Sequence, residues 1–125
     1  MKLFVGLVIV MVLAAAAALA AESIPGGTTG PAQIFLDDLR FTPNRLDAKV
    51  GETLVVRLTN RGRERHDLNF PSLHMPGLEG VEAILAPGES RTVTLRFDQP
   101  GTHTFICSLP GHAAAGMTGA VFVRR

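Results

Sequence analysis

The stretch Cys107-Ser108-Leu109-Pro110-Gly111-His112-Ala113-Ala114-Ala115-Gly116-Met117 carries a thiol, an imidazole and a thioether, with four residues in each gap. It lies between two segments that read as strands. A second imidazole, from His66 earlier in the chain, completes two nitrogens, one thiolate and a weak axial sulfur. That set suits a mononuclear copper that cycles between Cu(I) and Cu(II). Zinc prefers tetrahedral sites of Cys, His and carboxylate and gains nothing from a thioether. The pattern points to electron transfer rather than bond-making chemistry.

Outward from this loop the chain reads as short strands separated by turn signals, with no stretch long and periodic enough for a helix. Residues 102–107 and 118–124 flank the loop as strands. Before them come 33–41, stopped by Thr42-Pro43-Asn44, then 45–50 and 53–59. In residues 53–59, Leu54, Val56 and Leu58 share one face. Asn60-Arg61-Gly62 reads as a turn, 66–70 as a short strand, and 72–88 as a loop with a brief strand or turn near 81–85. Residues 91–97 alternate again, with Val93, Leu95 and Phe97 on one face. About eight short strands at this spacing mean an all-β, two-sheet β-sandwich.

Residues 1–21 stand apart. Lys2 precedes an apolar run over 3–19, and Ala18-Leu19-Ala20 is a small-residue cleavage pattern, so this segment reads as a secretory signal peptide. An uncleaved membrane anchor is the alternative, and only that reading puts the protein on a membrane. Residues 22–31, rich in Gly, Thr and Pro, read as a flexible leader, and 32–125 as one domain. Without Lys2 the chain carries eleven basic and eleven acidic residues, so its charge does not argue for nucleic acid. Arg61, Arg63 and Arg65 form a local basic cluster that either steers an acidic partner or is a solvated turn.

Cys107 is the only cysteine, so no internal disulfide can form. A bare thiol in an oxidising compartment is a liability. A metal-protected thiolate answers that better than a structural Cys once His112 and Met117 stand beside it. Cys107 shares a strand face with Phe105 and points inward. Pro110-Gly111 turns the loop back so that His112 can reach the same metal. Met117 taken alone would read as core methionine. His103 lies about 13 Å from Cys107 by strand rise, too far to share a metal, and reads as a half-buried packing residue. His74, next to Met75, competes with His66 as a ligand and otherwise reads, with Met75, as a residue at the rim of the site. Asp67 and Ser108 each follow a ligand, and a hydrogen bond between them would tie the two ligand segments together. A solvated Asp67 paired with Arg65 is the alternative.

These residues resemble the cupredoxins, the small blue copper proteins, over nearly all of residues 33–125. The resemblance rests on Phe41-Thr42-Pro43, Val50-Gly51-Glu52-Thr53, the segment 60–66 that presents the first histidine, Pro100-Gly101-Thr102 and Phe105-Ile106-Cys107. The Cys–His–Met spacing is most similar to that of rusticyanin. The position of His103 carries an aromatic residue in these proteins. The resemblance implies a Greek-key sandwich with copper at one end, His66, Cys107 and His112 as strong ligands and Met117 as the long axial one. Together with the apolar start, the four histidines and the apolar residues Pro110, Ala113 and Ala114 around His112, this reads as an exported, monomeric one-electron carrier, not an enzyme, that meets redox protein partners near His112. The alternative is a copper carrier or sequestration protein of the periplasm or cell surface.

Overall fold

Seven strands form where apolar and polar residues alternate: β1 (Ala32–Asp37), β2 (Arg40–Thr42), β3 (Arg45–Lys49), β4 (Thr53–Asn60), β5 (Ser90–Arg96), β6 (Gly101–Ile106) and β7 (Thr118–Arg124). A computed structural model describes residues 30–125. The expected export signal and nearly all of the expected leader lie outside the described residues. Among these residues no helix is long and apolar enough to cross a membrane; one 3-10 turn spans Val81–Ala83.

The strands make two mixed sheets, in the orders β2-β1-β4-β5 and β3-β7-β6. The β1–β4 and β3–β7 pairs are parallel and the others antiparallel. Period-two alternation sends one face of each sheet inward. Ile34, Leu36, Val56, Leu58, Val93 and Leu95 come from the first sheet; Phe105, Val121 and Val123 come from the second. Phe105 sits at the centre, edge-on to Phe41 at 5.0 Å and to Phe70 at 5.8 Å between ring centroids.

Two sequence expectations need correction. Residues 33–41 are a hairpin, not one strand. Phe35 pairs with Thr42 and Asp37 with Arg40, so the chain reverses over Asp38-Leu39. Leu39 takes φ 62°, an uncommon conformation for a side-chain-bearing residue. No Gly or Pro marks the turn. It is tied instead by Asp37, whose carboxylate accepts from Thr42 Oγ1 at 2.8 Å and from Arg61 Nε and Nη2 at 2.9 Å each.

Residues 66–70 do not form an eighth strand. The segment is pinned by two single bridges to different partners, His66 to Leu85 and Asn69 to Ile106. Its backbone therefore stitches the loop before β5 to the end of β6 rather than extending either sheet. His66, Leu68 and Phe70 are buried, as their alternation foretold, but so is Asp67.

Gly119 on β7 faces Phe105 without any side chain between them. A Cβ there would run into the Phe105 ring and come within 2.6 Å of Asn44 O. Because β7 is paired on both sides, the backbone has little room to shift. Gly119→Ala should destabilise the domain by about 1–3 kcal/mol, read as a lower denaturant midpoint with unchanged slope.

Candidate metal centre

Cys107 follows the last residue of β6 and is fully buried. The wound loop after it is self-satisfied: His112 N–H donates to Leu109 O, Met117 N–H to His112 O, and Cys107 N–H to Met117 O, each at 3.1 Å. Gly111 (φ 81°) and Gly116 (φ 106°) take backbone angles that other residues rarely adopt. They turn the loop in and out so that His112 and Met117 both return towards Cys107.

His66 arrives from the other side. Asn60, fully buried at the end of β4, knots this region together. Its Nδ2 donates to Glu64 O at 2.8 Å and Leu85 O at 2.9 Å, and its Oδ1 accepts from Gly62 N–H at 2.8 Å. An Asn side chain that mimics backbone in this way orders a turn. The His66–Leu85 bridge, 3.1 and 2.8 Å, then fixes His66 to the loop before β5, and the Asn69–Ile106 pairing brings the same segment against the end of β6.

The ligand atoms of His66, Cys107 and His112 all lie within 4.8 Å of one another. Cys107 Sγ is 3.9 Å from His66 Nδ1 and 3.4 Å from His112 Nδ1, and the two Nδ1 atoms are 3.2 Å apart. Both imidazoles thus aim the same nitrogen at one point beside the sulfur. Met117 is fully buried in the same core, with its backbone bonded to Cys107 and His112. Two imidazoles, a thiol and an adjacent thioether form a donor set that fits copper.

Asp67 is buried and spans the gap between the two ligand segments. Its Oδ1 accepts from Ser108 N–H at 2.6 Å, and its Oδ2 from the Ser108 hydroxyl. This is the tie expected from sequence, and Arg65 takes no part in it. Burial pushes the Cys107 thiol pKa up from its ordinary value. Backbone N–H groups of Asp67 and Leu109 oppose the rise, while the Asp67 carboxylate adds to it.

Two residues that the sequence reading passed over face the outer imidazole nitrogens. His66 Nε2 lies 3.1 Å from Asp38 Oδ1, and His112 Nε2 lies 3.1 Å from Glu64 Oε2. A charge-rich stretch before His66 was the only sequence hint of Glu64; nothing pointed to Asp38.

His74 and Met75 do not join this cluster. His74 is exposed and pairs with Glu79 at 2.8 Å, while Met75 is buried in the core. Both line a cavity of about 260 Å³ with Phe97, Gln99 and His103, near the start of β6 rather than its end. The loop after Pro71 runs along the sandwich and carries them away. His103 is half-buried, stacks on Phe97 at 5.1 Å and reaches Gln99 O at 2.9 Å, the packing role expected of it. Arg61 is committed to Asp37 and lies 3.8 Å over the Phe35 ring, so it is no free member of a basic cluster.

Residues 4–118 match a family model described as a cupredoxin-like domain. The chain is similar to the copper-resistant cuproprotein CopI of Rubrivivax gelatinosus, 30% identical over 105 residues that cover 73% of this chain and 64% of that protein. It is similar to auracyanin-B of Chloroflexus aurantiacus, 35% identical over 74 residues that cover 58% of this chain and 32% of that protein. The chain therefore spans less than two thirds of either relative. The crystal structure of dithionite-reduced auracyanin from Roseiflexus castenholzii superposes with TM-score 0.61 at 22% identity, covering 77% of this chain and 100% of that one, a likeness of fold.

The buried thiol gives the metal-free domain a pH signature. A thiol whose pKa is raised by folding keeps its proton while the unfolded chain loses its own above about pH 9. Stability is therefore full below that pH and lost as pH climbs through it. The chain has no Tyr, and Lys49 is the only Lys among the described residues, so little else titrates in this window. Denaturant midpoints between pH 7 and 10.5 should fall for the metal-free protein and fall less for Cys107→Ser.

Proposed function

The chain belongs to the cupredoxin-like family, and on that premise we propose that it is an exported, single-copper, one-electron carrier, with His66, Cys107 and His112 as strong ligands and Met117 as the long axial one. The observation that carries this reading is the convergence of both Nδ1 atoms on the Cys107 sulfur, inside 4.8 Å and under an apolar cover. Bound there, copper supplies a reversible one-electron Cu(II)/Cu(I) couple.

The chain's own residues supply rigidity and access. Asp67 and Ser108 hold the two ligand segments at a set distance, and the wound loop holds His112 and Met117 to Cys107 through backbone bonds. A site that cannot relax far loses little energy to rearrangement when the charge changes. His66, Cys107 and Met117 are sealed from solvent, whereas the His112 side chain keeps 12% of its surface exposed. Copper held there would exchange its electron through that His112 edge. Leu109, Pro110, Ala113 and Ala114 surround it with a small apolar surface, the kind that marks a contact site. Redox partners use small, weak interfaces that separate quickly. A relative of the same fold exists in a dithionite-reduced form, which supports a redox role.

The monomeric state, the export route and the absence of enzymatic activity belong to the same proposal. The apolar start and Ala18-Leu19-Ala20 support export. An oxidase or nitrite reductase needs further copper sites, and four histidines in the chain are too few to build them. The similarity to CopI favours one other reading, a copper carrier or sequestration protein. Burial of three of the four proposed donors argues against easy release.

The oxidised, copper-loaded protein should be intensely coloured by thiolate-to-copper charge transfer, and Cys107→Ala should abolish the band; a loaded sample without it overturns the ligand set. Met117→Leu should keep the metal and raise the reduction potential, measured by voltammetry, because Cu(II) loses a donor. Reversible voltammetry with slow copper loss to a chelator supports the electron carrier. Rapid surrender of copper supports the sequestration reading instead.

A further inference from the structure

The hairpin turn between β1 and β2 reaches the metal cluster from outside the core. One oxygen of Asp38 receives three donors there: the backbone N–H of Arg63 at 2.9 Å, that of Glu64 at 3.3 Å, and His66 Nε2 at 3.1 Å. The two backbone bonds hold the carboxylate in place, so its angle to the imidazole is set by the fold rather than by a free rotamer. The contact is also built for close approach. Gly62 lies beside it, and a Cβ there would come within 2.8 Å of His66 Nε2 and closer still to Asp38 Oδ1.

Two backbone N–H groups already donate to this oxygen, so it is the acceptor in its contact with the imidazole as well. An ionised carboxylate can only accept, so the proton of this bond sits on His66 Nε2. That assigns the tautomer and leaves Nδ1 as the nitrogen turned towards Cys107. The Glu64–His112 contact lacks this anchoring: the Glu64 side chain is 64% exposed, against 43% for Asp38.

Resting on the reading of His66 as a copper ligand, we infer that Asp38 is a positioning residue for the copper site, which orients the His66 ring and by its negative charge favours Cu(II) over Cu(I). A carboxylate hydrogen-bonded to the far nitrogen of a ligating imidazole raises its donor strength. A full negative charge nearby stabilises the more highly charged ion more.

The test is Asp38→Asn in the copper-loaded protein, with Asp37→Asn as control. The Asn carbonyl can still accept from Arg63 and Glu64, so the turn is retained and only the charge is lost. Asp37 lies in the same hairpin and binds Arg61 and Thr42 rather than His66. Asp38→Asn should keep the charge-transfer band, lose about tenfold or more in Cu(II) affinity, lose less in Cu(I) affinity, and so shift to a higher potential. Asp37→Asn should leave the potential where it is. Nitrogen NMR of the wild-type Cu(I) form, which needs no variant, should show a slowly exchanging proton on His66 Nε2. An unchanged potential in Asp38→Asn, an equal shift in Asp37→Asn, or ligation by His66 Nε2 overturns the inference while leaving the parent reading intact. Wild-type protein that binds copper without His66 overturns both.

Discussion

The carboxylate of Asp67 bonded to Ser108 is the constraint on which the rest of the site depends. It joins two segments 41 residues apart, each carrying a proposed ligand at the adjacent position. The backbone pairing of Asn69 with Ile106, 2.8 Å in both directions, runs parallel to it. Together they set the distance between His66 and Cys107 with protein bonds alone. A buried carboxylate is costly unless its oxygens are satisfied. Here the Ser108 N–H and hydroxyl satisfy one oxygen each, so the buried group serves as a clamp.

Three carboxylates thus surround the two imidazoles and the thiol, and they act on different atoms. Asp67 sits behind the sulfur, where its charge helps keep the thiol protonated in the absence of metal. Asp38 and Glu64 sit behind the imidazoles. Metal binding requires a thiolate and neutral imidazoles. The surrounding negative charge resists the first and favours a cation once it arrives. The backbone N–H groups of Asp67 and Leu109 pull the other way by facing the sulfur. With copper bound as proposed, the potential would be a balance between those amides and these carboxylates. It is not set by ligand identity alone.

The two-sheet fold and the loop that brings His112 back to Cys107 were legible because their signals are local. Period-two alternation marks β4, β5, β6 and β7, and the Cys–His–Met spacing sits in one loop. The Asp67–Ser108 bond was legible because each residue neighbours a proposed ligand. What escaped has no local signature. The β1–β2 turn uses Asp38-Leu39 in place of Gly or Pro, so residues 33–41 read as one strand. The segment 66–70 alternates like a strand, but its two bridges go to different partners, and partner choice leaves no trace in periodicity. Asn60 looks like an ordinary turn residue until Glu64 and Leu85 are seen on either side of it. His74 beside Met75 looked like metal chemistry, and the path of the loop puts both near the start of β6.

The asymmetry between the two imidazoles follows from the same construction. His66 is buried where two elements meet it: the hairpin turn through Asp38, and the Leu85 bridge, itself tied to Asn60. On its outer side His112 is met by its own loop and by Glu64 at the surface. On the electron-carrier reading, a rigid inner imidazole would keep the metal geometry constant, and a shallow outer one would bring the redox centre within reach of a partner. Burying both would lengthen the path for the electron, and exposing both would admit water to the thiolate. The β scaffold avoids both by drawing one proposed ligand from a segment stitched into the core and the other from a loop that folds back upon it.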